Sequence, residues 1–347
     1  MRYALLLGAN HNRVYGEASF VLAEAELRVL DEHVLGGVVR ACAREVIAGV
    51  DYLCVDAVEV LDDARLAVLG NLSSLHALFE RGDDGRFRPL LTTPRRVLDA
   101  DLLTIQRYAG KTNEAFTHLL VNLALASGRG AFERLLAGER LRLLDPVCGR
   151  GTSLNRAAAY GMDAVGIEAD QRDVEAYATF LLTWLKDKRM KHTVDKATLR
   201  KGRTTPAHRI TVTYGHGKDP DTRRVVDVIH DDTVRARDHL RARSIDALAC
   251  DLPYGVQHGS QPGPGRLDRG PAGLLEVALP VWLDLLRPGA AAAFAWNRRT
   301  LPRGLLADLA TDAGFTVDRK EDEAFVHPVD RAITRDVLVA VRPSSPG

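Results

Sequence analysis

The chain has 347 residues, long enough for two domains, and its 46% hydrophobic and 27% charged content excludes disordered and fibrous classes. A net charge of +1 supplies no global excess of cations, so a polyanionic partner would have to be met by a local cluster of Lys and Arg. No apolar run approaches the roughly 20 residues that a bilayer crossing requires.

The four cysteines, Cys42, Cys54, Cys148 and Cys250, are widely spaced and form no C-x-x-C pair. That pattern indicates neither a metal site nor a disulfide framework, and a reducing cytoplasm is the expected setting.

Residues 1–95 are expected to form a small α+β unit. A strand at Tyr3–Leu7 leads through Asn10-His11-Asn12 to a helix over Ala18–Leu30. Runs at Val38–Ala43 and Tyr52–Val60 are β-like, Ala64–Leu69 and Ser74–Glu80 suggest short helices, and Arg81–Arg86 is a charged turn. No catalytic constellation occurs here, which suits a folding or substrate-docking module.

From residue 96 to 347 the pattern changes. A helix carries Phe116, Leu119, Leu120, Leu123 and Leu125 toward one face. Beyond it, strands at Arg142–Leu144, Ala164–Ile167, Arg224–Ile229, Ala247–Cys250, Ala291–Ala295 and Val337–Val341 alternate with helices. Those helices are expected at Asn155–Ala159, Val174–Lys186, Leu274–Leu286 and Leu305–Ala313. This alternation predicts an α/β fold with a mostly parallel sheet covered on both faces. Ligands of such sheets bind beyond the carboxyl ends of the strands.

One such end reads Asp145-Pro146-Val147-Cys148-Gly149-Arg150-Gly151-Thr152. Gly149 and Gly151 let the backbone approach a ligand, and the helix that starts at Thr152 turns its N-terminus toward it. Glu168, at the next strand end about 17 residues after Gly151, suits ribose hydroxyls. Leu154 stands where a nicotinamide fingerprint has its third glycine, and Asp145 would repel a pyrophosphate but attract an ammonium. The loop therefore favours S-adenosylmethionine over NAD. Cys148 reads as a small apolar filler of the loop. Asp232, with Asp231 as the alternate, offers a carboxylate for the adenine amino group.

A second strand end reads Asp251-Leu252-Pro253-Tyr254-Gly255. A nucleobase amine is a poor nucleophile because its lone pair is delocalised into the ring. The Asp251 carboxylate and the Leu252 carbonyl could accept its two N–H bonds, with Pro253 fixing the turn. Tyr254 offers a face on which an extruded base stacks.

Tyr108-Ala109-Gly110-Lys111-Thr112-Asn113, the Asp145–Thr152 loop, Asp251–Gly255 and a late His327–Arg335 segment together resemble the THUMP-associated tRNA guanine-N2 methyltransferases. The resemblance covers roughly residues 100–342. It implies a Rossmann-like class I methyltransferase core beside the small N-terminal unit, S-adenosylmethionine as cofactor, and a guanosine in structured RNA as acceptor. It assigns Asp145, Gly149, Gly151 and Glu168 to the cofactor and Asp251, Pro253 and Tyr254 to the base. Two features depart from the family. The first 95 residues are short for a complete THUMP domain with its ferredoxin-like companion and are expected to be a ferredoxin- or THUMP-like remnant that could dock RNA, and Leu252 replaces a proline.

A long basic insertion at about 186–223 contains Lys186, Lys188, Arg189, Lys191, Lys196, Arg200, Lys201, Arg203 and Arg209. Arg209–Tyr214 alternates like one arm of a hairpin turning at Gly215 or Gly217, either for phosphate contacts or as a solvated hairpin. The Gly259–Gly270 stretch reads as a lid or an ordinary long connection. Trp296-Asn297-Arg298-Arg299, Arg331 and Arg335 are candidate RNA contacts, whereas Trp184 and Trp282 are expected in the core. Competing readings are a DNA amino-methyltransferase acting on adenine N6 or cytosine N4, an NAD-dependent oxidoreductase, and a catalytically silent RNA-binding scaffold.

Overall fold

In the computed structural model, residues 1–8, 13–200, 206–215, 222–253, 271–318 and 323–344 are described. The first unit runs β1 (Arg2–Leu7), α1 (Arg13–Leu30), β2 (Val39–Ile47), β3 (Val50–Ala57), α2 (Asp63–Leu69), β4 (Leu75–Arg81) and β5 (Phe87–Leu90). Its sheet order is β2-β3-β1-β4-β5, with each neighbouring pair antiparallel. The first four strands and two helices thus make the split βαβ arrangement of ferredoxin-like units, and β5 extends one edge.

Strand β4 corrects the helix expected over Ser74–Glu80. Its composition suits a helix, but the backbone of Leu75–Arg81 finds partners on both sides, β1 and β5, and tertiary pairing overrides propensity.

The second unit begins with α3 (Asp101–Thr104), α4 (Glu114–Ser127) and α5 (Ala131–Leu136), followed by β6 (Arg142–Asp145), α6 (Thr152–Ala159), β7 (Asp163–Glu168) and α7 (Gln171–Asp187). Next come β8 (His192–Leu199), β9 (Ala207–Tyr214), β10 (Arg224–His230), α8 (Ala236–His239) and β11 (Ile245–Asp251). The chain closes with α9 (Pro271–Leu285), β12 (Leu286–Asn297), α10 (Arg303–Asp312), β13 (Thr316–Val317), β14 (His327–Pro328) and β15 (Thr334–Val341).

The sheet order is β13-β15-β12-β11-β6-β7-β10-β9-β8. Strands β10, β7, β6, β11 and β12 run parallel, while β15 enters antiparallel between β12 and β13. Because β6 lies at the centre and the chain winds outward in both directions, the ends of β6, β7 and β11 form one row at the point where strand order reverses. That is where such sheets bind ligands.

Helix α4 is buried at every position from Phe116 to Ala126, not only on the one face its sequence suggested. It lies against β11 and β12 on one side and α1 on the other, so no face is left for water. Trp184 and Trp282 are core residues, with their indoles donating to Asp101 and Thr233.

The inserted segment forms β8 and β9. Strand β8 ends at Leu199 and β9 begins at Ala207, so Gly215 does not lie between these arms but follows β9 on the way to β10. Since β8 and β9 are antiparallel, as are β9 and β10, the end of β8 and the start of β9 lie at the carboxyl edge. Those strand ends lie far along that edge from the end of β11, because β8 is five strand steps from β11, roughly 24 Å at 4.8 Å per step. Lys201, Arg203, Gly217, Asn10-His11-Asn12, Tyr254 and Gly259–Gly270 lie outside the described residues.

Candidate active site at the carboxyl edge

Strand β6 ends at Asp145, and the chain then turns through Cys148–Gly151 into α6. Gly149 and Gly151 have φ of 49° and 75°, left-handed conformations that glycine adopts without the penalty of a Cβ. At Gly151 a Cβ would also overlap the Tyr177 ring of α7. At Gly166 of β7 a Cβ would meet Cys148 Sγ and the Leu154 side chain. Cys148 is therefore the buried filler its sequence context suggested: its N–H donates to Ile167 O at 3.0 Å, and burial pushes its thiol pKa well up.

Asp145 is buried, and its carboxylate turns onto the loop, accepting from the Ser153 hydroxyl and from Val147 N at 3.1 Å. Burial pushes this carboxyl up to about 7, and the neighbouring Glu168 and Asp251 charges add to the rise, against the pull of the Ser153 and Val147 donors. Glu168 ends β7 and accepts from Gly149 N and Asp170 N, each at 2.8 Å. Three carboxylates thus cluster at the ends of neighbouring strands β7, β6 and β11. Such a cluster repels anions and suits a cation.

Asp231 and Asp232 separate cleanly. Asp231 is buried and pairs with Arg235 and His239, which makes it a structural anchor. Asp232 is partly exposed and its side chain accepts from Val234 N at 3.2 Å, capping a short turn.

On the other side of Asp145, Asp251 ends β11. Its Oδ2 accepts from Thr112 Oγ1 at 2.7 Å and from Arg335 Nη2 at 3.0 Å. Leu252 is buried, and its N–H continues the pairing with β12 by donating to Ala295 O at 2.8 Å. Pro253 follows, partly exposed.

The Tyr108–Asn113 segment joins the two halves of the site. The Tyr108 hydroxyl lies 3.0 Å from Thr152 Oγ1, and the Arg150 guanidinium sits 5.0 Å from the Tyr108 ring centroid while pairing with Asp173. Lys111 donates to Leu103 O, Gln106 O and Glu114, closing the loop on itself. Thr112 reaches Asp251, and Asn113 caps α4 by accepting from Ala115 N and Phe116 N.

Three of the expected RNA contacts are not surface groups. Trp296 is buried and donates to Leu301 O. Arg335 is only 6% exposed and turns inward to Asp251. Asn297 is buried too, and it ties the end of β12 to the start of β15 through Thr334 N and Ala332 O. Arg299 and Arg331 remain exposed on the same edge.

Sequence reasoning singled out the acids but missed Thr112 and Phe116 as parts of the site and misplaced Arg335. The available signal was the Arg335-Asp336 pair opening an otherwise apolar strand, because charges on a buried strand must find partners. Among the described residues, no group of three or more His, Cys, Asp or Glu could hold a metal ion, and no helix is long and apolar enough to cross a membrane.

No family model and no curated protein matches the chain. Among solved structures, the chain is similar to a TehB-like SAM-dependent methyltransferase from Corynebacterium glutamicum, at 15% identity and TM-score 0.32 over 60% of this chain and 85% of that one. It is similar to an rRNA methylase from Streptococcus thermophilus, at 12% and 0.34 over 59% and 89%. A third similar structure is a T. thermophilus 16S rRNA N2 methyltransferase in complex with AdoMet and guanosine, at 16% and 0.36 over 88% and 59%. In this chain the strand order β10-β7-β6-β11-β12, with β15 antiparallel beside β12, gives a Rossmann-like α/β fold with a mostly parallel sheet.

Proposed function

We propose that the chain transfers a methyl group from S-adenosylmethionine to an exocyclic amino group of a nucleobase, with guanosine N2 in tRNA or another structured RNA as the acceptor. The observation that carries this reading is the adjacency of Asp145 and Asp251 at the ends of neighbouring strands. One carboxylate stands at a glycine loop fit for a cationic cofactor, and the other stands in a turn fit for an amine.

In this scheme the backbone at Cys148, Gly149 and Gly151, with Thr152 at the start of α6, lines the cofactor, Glu168 accepts its ribose hydroxyls, and Asp232 accepts from its adenine amino group. Asp251 and the Leu252 carbonyl accept the N–H bonds of the target amine and turn its lone pair toward the methyl group, with Pro253 shaping the turn and Tyr254 stacking on the base. Methyl transfer is then an in-line displacement governed by positioning, with Asp251 receiving a proton as charge develops on the amine. The guanosine-N2 choice rests on the likeness of the four motifs to the THUMP-associated enzymes.

Incubating the purified chain with methyl-labelled S-adenosylmethionine and separate pools of tRNA, rRNA and DNA tests this, with nucleoside mass spectrometry as the readout. N2-methylguanosine in an RNA pool is the expected product, and N6-methyladenine in DNA alone would replace the RNA assignment with a DNA one. Asp251→Ala should abolish turnover while cofactor affinity stays within a few-fold. Equal loss of both would show Asp251 to be holding the cofactor or the fold instead.

A further inference from the structure

Strand β15 is antiparallel among parallel neighbours, so it begins where they end. Its second residue, Arg335, pairs in register with Asn297 at the end of β12 and lies at the carboxyl edge beside the end of β11. Side chains alternate along the strand. Asp336 turns the other way, to Arg303 at 2.8 Å, whereas Arg335 turns to Asp251.

The Arg335 guanidinium lies 4.7 Å from the centroid of the Phe116 ring and donates to Asp251 Oδ2 at 3.0 Å. Thr112 donates to the same oxygen from a different element. Terminal torsions of Asp are broad and soft, so a lone Asp251 would sample many carboxylate directions. A charge-assisted bond from a guanidinium seated on an aromatic face restricts them.

We infer that Arg335, seated on Phe116, is a positioning residue that aims the Asp251 carboxylate at the acceptor amine. This inference rests on the methyl-transfer reading above. Arg335 touches no reacting atom and acts only through Asp251.

Lysine would keep the positive charge but lose both the planar fork and the stacking on Phe116. The geometry therefore separates positioning from charge alone.

The test uses the full chain and the nucleic acid that the wild type methylates. Arg335→Ala should lower kcat about 100-fold, the scale expected for a misplaced reacting group, with cofactor Kd by calorimetry unchanged within a few-fold. Millimolar guanidinium should restore part of the lost rate by refilling the space over Phe116. Arg335→Lys should show a smaller kcat loss, also without loss of cofactor affinity, and it decides the matter if the alanine variant does not fold. A wild-type rate in either folded variant overturns the inference, as does a rate loss that tracks cofactor loss and does not respond to guanidinium. A wild type that methylates no nucleic acid overturns the methyl-transfer reading itself, and this role with it.

Discussion

Asp145 has lost its water, and its behaviour follows from that loss. With its carboxyl pushed up to about 7 by burial and by Glu168 and Asp251, the unliganded chain at neutral pH is a mixture of acid and carboxylate. A cationic ligand stabilises the carboxylate, so binding must release a proton wherever the acid form dominates. Affinity for S-adenosylmethionine should therefore fall by up to about tenfold per pH unit below 7 and level off above it. Asp145→Asn should bind more weakly at pH 8 and lose most of that slope; calorimetry from pH 6 to 8 reads both. A wild-type profile that is flat across that range would remove Asp145 from the cofactor site. Asp145 and Asp251 were legible in the sequence because each opens a short linear motif at a strand end. Thr112 and Arg335 were not, because they reach Asp251 across 139 and 84 residues of chain, and only tertiary packing, α4 against β11 and β15 beside β12, brings them there.

At the scale of elements, the helix-loop-strand grammar of the second unit could be read directly, since its buried parallel strands are short apolar runs and its helices carry a 3.6-residue period. Strand β4 could not. Leu75-His76-Ala77-Leu78-Phe79-Glu80-Arg81 has no strand signature, and its conformation comes from being flanked by β1 and β5. Once β4 is a strand, the ferredoxin-like order of the first unit follows; the family resemblance suggested such a remnant, but the residues of this segment did not show its fourth strand. The loop between β6 and α6 shows the opposite case, where local geometry admits one residue type. Gly151→Ala would need a left-handed φ of 75° and would drive a methyl into the Tyr177 ring, which is fixed in the core. A cost of about 1–2 kcal/mol from the backbone alone is expected, plus whatever Tyr177 adds. The variant should melt below the wild type and lose the thermal stabilisation that S-adenosylhomocysteine gives the wild type. A normal ligand-induced shift would show that the loop tolerates the methyl and that the glycine is not needed for binding.

At the scale of the whole molecule, the two units share one core. Leu22, Leu53 and Leu78 of the first belong to the same hydrophobic cluster as Phe116, Leu143 and Tyr177 of the second, so a single cooperative unfolding transition is expected. A buried polar chain crosses that contact. Glu26 of α1 accepts from Ser73 and from Asn122 Nδ2 at 2.6 Å, Asn122 Oδ1 accepts from Tyr160 at 2.6 Å, and the Tyr160 hydroxyl meets His118 Nε2. Burial pushes the Glu26 carboxyl from 4.5 up to about 7, against the pull of its Asn122 and Ser73 donors, which corresponds to roughly 3 kcal/mol. The sign follows from proton binding: between pH 4.5 and 7 the folded chain holds a proton at Glu26 that the unfolded chain has released. Stability from this group is fully present below 4.5 and is lost as pH rises to about 7. The buried His118 and His327, both pushed down by burial, act oppositely and cost stability as pH falls below 6.5. Comparing the wild type with Glu26→Gln at each pH cancels the histidine contribution. The difference in melting temperature should move in favour of the glutamine variant from pH 4.5 to 7 and stay level above that. A difference that does not change with pH would mean that Glu26 is ionised in the folded chain throughout, held so by Asn122, Ser73 and Arg156.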